Sequence, residues 1–154
     1  MQLGQNCLLE FCLALSICFC ACHTASRDQI FPIKDFTIIF GSGGGFTGMA
    51  GGYVIHGNGK IEKWSGLYFR RDKLETLGTA KPEALQPLKQ MFETKAFSQW
   101  SHQGAGNMTT RVWCISGSDT TIVSWPGLEP GEDVPPVIQD FYGKLMHAVQ
   151  SASQ

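Results

Sequence analysis

Three groups of residues in this 154-residue chain have the types and spacing that chemistry requires. Cys114 is the first: a thiolate next to an imidazole is a nucleophile, and a hydrolase built on it would use His56 or His102 as base. The second is the glycine run from Gly41 to Gly52, with Gly43, Gly44, Gly45, Phe46, Thr47 and Gly48 at its centre. Backbone without side chains can approach another chain or a ligand closely, and consecutive amides can cradle an anion. The third is Cys22, which closes Phe19-Cys20-Ala21-Cys22. Small residues before a cysteine are the pattern of a bacterial lipoprotein signal, in which that cysteine becomes a lipidated N-terminus.

The neighbours of each group decide how far its chemistry carries. Val112, Trp113 and Ile115 surround Cys114 with apolar strand formers, which reads as a buried structural thiol. Gly43 to Gly48 fits G-x-G-x-x-G, but a dinucleotide site needs the last glycine to open a helix, and Tyr53-Val-Ile55 reads as a strand. No Walker lysine follows, and the catalytic motifs of a kinase are missing, so no cofactor is expected. The histidines lack the i, i+4 spacing of a helical metal site and no Cys-x-x-Cys accompanies them, so no metal is expected. Glu129, Glu132 and Asp133 match no calcium loop, and Ser42 lacks the spacing of a serine-hydrolase elbow. Asn107-Met-Thr109 is a glycosylation sequon, meaningful in a eukaryotic secretory route. With no catalytic set complete, the glycine run is the candidate binding loop, its other reading being a flexible or tightly curled hairpin connection. Phe46 would be its contact residue if it stands exposed at the tip. Of the four tryptophans, Trp100 lies in the most polar surroundings and is the one expected at the surface.

The elements that must position these residues begin after an apolar leader. Leu8 to Cys22 is apolar apart from Glu10 and Ser16, shorter than the roughly 20 residues of a membrane span and suited to a secretory signal. Met1 to Asn6 carries no Lys or Arg, a departure from the usual basic start. Two processing routes fit: cleavage before Cys22 with lipid attached, or cleavage near Ala25 without it. The expected organisation is a leader over residues 1–22, a polar tether over 23–30 and one domain over 31–150. Five of the six cysteines lie in the leader, so lipidation of Cys22 would leave Cys114 without a disulfide partner. A packed core must then hold the domain, and a chain this size buries about two-thirds of its unfolded surface. The chain has 12 basic and 13 acidic residues, with Glu10 in the leader, so no basic field for a nucleic acid exists.

Within the domain, Asp35 to Phe40 and Tyr53 to His56 read as strands joined by a loop over the whole of Gly41 to Gly52. Asn58-Gly59 suits a type I′ hairpin turn into a strand over Lys60 to Phe69. Thr109 to Ser116 and Thr120 to Trp125 form a second hairpin about Gly117-Ser118-Asp119. Leu85, Leu88, Met91 and Phe92 mark a helix starting at Pro82, which Pro87 should shorten or kink. Ile138, Phe141, Leu145 and Val149 mark a second helix with Asp133 as its cap. The expected fold is α+β with two layers: an antiparallel sheet of four to five strands with both helices on one face.

Phe36-Thr-Ile-Ile-Phe-Gly-Ser-Gly-Gly-Gly-Phe-Thr-Gly48, with Gly52-Tyr-Val-Ile55, Asn58-Gly59 and Pro135-Pro-Val-Ile-Gln-Asp-Phe-Tyr142, resembles a group of small bacterial envelope proteins, many of them lipoproteins. The resemblance implies an exported α+β domain and carries no catalytic residues with it. Together with the leader it leads to an expected role as a non-enzymatic envelope module. It would be exported, held to the membrane by lipid on Cys22 or secreted, and would contact an envelope protein or glycan through the glycine loop. A Cys114 hydrolase and a secreted protease inhibitor are the alternatives.

Overall fold

A computed structural model describes residues 36–94 and 96–153; the leader, Cys22 and the tether lie outside the described residues. The elements are β1 (Phe36–Gly44), β2 (Met49–His56), β3 (Lys60–Leu67), β4 (Lys73–Thr79), helix α1 (Pro82–Glu93), a 3₁₀ turn (Ala96–Gln99), β5 (Met108–Ser116), β6 (Asp119–Pro126) and helix α2 (Pro136–Ala152). The strands form one sheet in the order β4-β3-β2-β1-β5-β6, antiparallel throughout. The α+β class is as expected, with six strands where the sequence suggests four to five. β4 is the added strand. Its first four residues are all exposed, so no buried alternation marks it in the sequence.

The turns are those that closely spaced strands require. Gly57-Asn58-Gly59 is a three-residue connection in which the Gly59 amide donates to the His56 carbonyl at 2.8 Å. Gly59 has φ 91°, whereas Asn58 does not enter the left-handed region. The hairpin is therefore a tight turn with a glycine bulge instead of the type I′ form. Gly117, at φ 58°, opens the two-residue turn between β5 and β6.

Alternation divides the sheet into a face buried under the helices and an outer face with a smaller buried cluster. Phe36, Ile38 and Phe40 of β1 point to the helices and join Ile55, Ile61, Val112, Val123 and Trp125 in the main core. Helix α1 presents Ala84, Leu85, Leu88 and Phe92 to it, and α2 presents Ile138, Phe141, Leu145 and Val149. Phe92 stacks on Phe36 at 4.4 Å between centroids and meets Phe97 at 4.5 Å, which ties α1 and the 3₁₀ turn to the start of β1. Pro87 lies inside α1 without ending it, forgoing one amide bond in a helix already anchored by burial. Asp133 is not the cap of α2: Pro135 occupies that position with no side-chain bond, and the Gln139 amide instead donates to the carbonyls of Gly131 and Val134. Trp100, expected at the surface, is half-buried and packs edge-on against Phe141 at 4.8 Å.

The opposite face carries a second, smaller cluster of Ile39, Ala50, Val54 and Trp64. Trp64 is 1 % exposed, on a face that neither helix covers. Room for its indole comes from the glycines: a Cβ on Gly41 would sit 2.6 Å from Trp64 Cζ2 and 2.3 Å from the Gly51 carbonyl oxygen. The indole N–H donates to the Phe40 carbonyl at 3.2 Å. Phe69 approaches Trp64 at 6.3 Å and Trp113 at 5.8 Å between centroids, and the Arg111 guanidinium lies 4.8 Å above the Phe69 ring. Replacing Trp64 by Ala should cost about 3–5 kcal/mol of unfolding free energy by urea titration. A loss below about 1 kcal/mol would mean that this second cluster does not stabilise the fold.

Candidate functional site

The glycine run is mostly strand. β1 continues to Gly44 and β2 starts at Met49, paired down to Gly43 opposite Ala50, so the connecting loop is Gly45 to Gly48. The expected loop from Gly41 to Gly52 is corrected accordingly: Gly43 and Gly44 belong to β1, and Gly45, Phe46, Thr47 and Gly48 form the tip. Gly44 has φ 137°, and a Cβ there would lie 2.1 Å from the Asn107 carbonyl oxygen. That same oxygen accepts the Gly45 amide at 2.8 Å, which joins the tip to the chain leading into β5. On the other side Tyr68 donates its amide to the Gly48 carbonyl at 2.8 Å, and its ring lies where a Gly48 side chain would be.

Among the described residues, Tyr68 and Phe69 are the two non-glycine residues with positive φ, at 49° and 61°. Left-handed backbone costs such residues about 1–2 kcal/mol each. The pair sends Tyr68 towards the glycine tip and Phe69 towards Trp64 and Trp113. The outer cluster and the tip are thus parts of one local arrangement.

Phe46 projects from this tip fully exposed, at 109 % of its reference area. Leu67, Met49, Gly44 and Met108 occupy successive cross-strand positions at the same end of the sheet, and Leu128 follows β6 there. With Tyr68, six of the nine large exposed apolar side chains of the described residues gather at this end. Beside them Arg70, Arg71 and Lys73 are exposed. Beneath, Ser42 and Thr110 share a hydrogen bond of 2.5 Å, and the Thr110 hydroxyl also reaches the Gly127 carbonyl at 2.7 Å. Tyr142 donates to the Leu128 carbonyl at 3.3 Å. Burial, with Glu129 and Tyr53 adding to it, pushes the Tyr142 phenol up to about 12, so it remains a neutral donor in this network.

The Cys114 and histidine pairings do not come together. Cys114 is buried in the helix-side core, and burial pushes its thiol up to about 12, away from the thiolate that nucleophilic attack needs. His56 faces the other side of the sheet, opposite Thr37, and Cys114 lies opposite Ile38. His102 sits in the segment alongside Ser124, three residues further along β6 than Thr121, the partner of Cys114, or about 10 Å of strand. No group of three metal-ligating side chains occurs among the described residues. Of the two carboxylate and histidine features the sequence leaves unremarked, one is a charge cluster: Glu62 bonds His56 Nε2 and Lys60 Nζ, each at 2.7 Å. Lys60 and then His56 hold the Glu62 carboxyl below the usual carboxylate range. The other is the approach of Glu129 to Tyr142.

His56 also lines an open cavity of about 380 Å³ with Phe36, Thr37, Asn58, Ile115 and Gly117, at the end of the sheet remote from Phe46. Compared with known protein families and with curated proteins, the chain matches none. The Glu62 cluster has a definite pH signature. A lowered carboxyl pKa contributes stability that is present above the ordinary carboxylate range and lost as pH falls through the lowered value. Glu62→Gln should therefore be less stable than the parent at about pH 7, with the gap narrowing in urea titrations as pH falls through the lowered carboxyl value. A gap that stays constant as pH falls would contradict the assignment.

Proposed function

We propose that this chain is a non-enzymatic binding module of the cell envelope that uses the end of the sheet around Gly45 to Gly48 to contact an envelope protein or glycan. The observation that carries the reading is Phe46, fully exposed at the tip of a hairpin held from both sides by backbone bonds. An aromatic ring on an ordered backbone offers contact area at small conformational cost, which is how binding hot spots are built. The surrounding Met49, Leu67, Tyr68, Met108 and Leu128 widen that contact, and clustered exposed apolar side chains mark interaction surfaces. Export, with lipid on Cys22 as one route and secretion as the other, is part of the same proposal and is supported by the leader's composition and by the resemblance to envelope lipoproteins. The tip lies at the end of β1 opposite Phe36, about 30 Å away along nine residues of strand. The Cys114 hydrolase is not carried forward, because the thiol is buried and its candidate bases lie elsewhere.

The test compares proteins retained from a native envelope fraction by the parent, by Phe46→Asp and by Ile122→Asp, an exposed apolar position on β6. A partner held by the parent and by Ile122→Asp should be lost by about tenfold or more in Phe46→Asp, with unfolding free energy unchanged within about 0.5 kcal/mol. Retention that is indifferent to Phe46 removes the tip from the account. Protease inhibition would appear in the same experiment as a retained protease.

A further inference from the structure

The two edges of the sheet are finished differently. β6 is strapped: the segment through His102, Gln103 and Gly104 runs beside Ser124, with the Ser124 amide donating to the His102 carbonyl at 3.0 Å and the Gly104 amide donating to the Ser124 carbonyl at 2.8 Å. β4 has no strand on its outer side among the described residues, and Lys73, Leu74, Glu75 and Thr76 are all exposed. The C-terminal end of α2 comes against β4 at Gly78, where a Cβ would lie 2.4 Å from the Ala152 carbonyl oxygen. An open row of backbone donors and acceptors is a template for another strand.

The residues along that row are complementary to themselves. In an antiparallel pairing of β4 with its own copy, centred on Leu74, Lys73 of each chain faces Glu75 of the other on both sides of the centre, and Leu74 faces Leu74. Successive side chains alternate, so the two ion pairs lie on the helix side of the sheet and the two leucines on the outer side. Leu74 is 52 % exposed in the single chain and gains cover by this pairing. Neither Lys73 nor Glu75 appears in the ion pairs of the described residues, although Glu75 lies opposite Lys63 across β3. Charged side chains on an edge strand commonly discourage pairing, but here the two signs alternate at the spacing by which an isologous contact sets each charge opposite its counter-charge.

We propose that the free edge of β4 docks a second copy of this chain, Lys73 and Glu75 exchanging across a two-fold axis at Leu74 to make one continuous sheet. The two copies run antiparallel, so their glycine tips point to opposite ends and both remain free. The dimer and the binding role proposed above can therefore fail independently.

Charge reversal tests this directly. Glu75→Lys sets two lysines opposite each other at both sides of the axis, and Lys73→Glu sets two carboxylates there, so each variant of the full chain should sediment as a monomer at concentrations where the parent is dimeric. Like charges directly opposite destabilise a strand pair, and unlike charges support it. Mixing the two variants restores opposite charges at both positions, so the mixture should recover a dimer containing one copy of each, identified by native mass spectrometry. Both positions are exposed, and recovery in the mixture shows at once that both variants are folded. A parent that stays monomeric at every concentration, a dimer that survives either single reversal, or variants that fail to recombine would each overturn the proposal.

Discussion

Everything at the glycine-tip end of this domain depends on where one indole ring fits. Trp64 points away from the helices, onto a face that an antiparallel sheet commonly leaves to solvent, and it is nevertheless buried. A side chain of that size can lie close to the sheet only where neighbouring strands carry no Cβ, and Gly41 supplies that position. Gly41 of β1 is therefore one half of a packing contact whose other half is a tryptophan on β3. Conformational entropy lost by ordering glycine is offset here by burial of a large aromatic side chain, a term of comparable or greater size.

The same contact organises the tip. Phe69 must leave the end of β3 and fold back towards Trp64, and the left-handed backbone of Tyr68 and Phe69 is the means. Tyr68 then falls against Gly48, and its amide closes one side of the hairpin end while Asn107 closes the other. Strained backbone persists where surrounding structure determines it, and here it is held by aromatic packing on one side and a glycine turn on the other. The connection bearing Phe46 is short and doubly tied, which is the property that its proposed contact role needs if binding is not to lose its affinity to the ordering of a loop.

Much of the fold was legible because its signals are local. The stripe from Ile138 to Val149 and the stripe from Leu85 to Phe92 are the buried faces of their helices. Asn58-Gly59 and Gly117 marked both hairpins, and apolar flanks marked Cys114 as a core thiol. What escaped is non-local. β4 has no buried face to leave a pattern, and its pairing with β3 is set by position in the sheet. Twelve residues rich in glycine read as a loop because strand propensity is low for glycine, whereas eight of them belong to β1 and β2, and the Trp64 ring that packs on Gly41 lies more than twenty positions downstream of it. The Glu62, Lys60 and His56 cluster combines neighbours along one strand with a cross-strand partner, and the polar pattern of β3 gave no hint of it. Phe46 was legible as a candidate, and its setting among Met49, Leu67 and Met108 follows from the pairing register.

Native-state hydrogen exchange probes this organisation most directly. If the indole is seated on glycine strands, the Trp64 indole N–H and the backbone amides of the β1 and β2 ladder up to Gly43 and Ala50 exchange only through large-scale unfolding, while the Phe46 and Thr47 amides at the tip exchange far faster. Uniformly fast exchange from Gly41 to Gly52, with an unprotected Trp64 indole, would contradict the account and return the glycine run to a flexible loop.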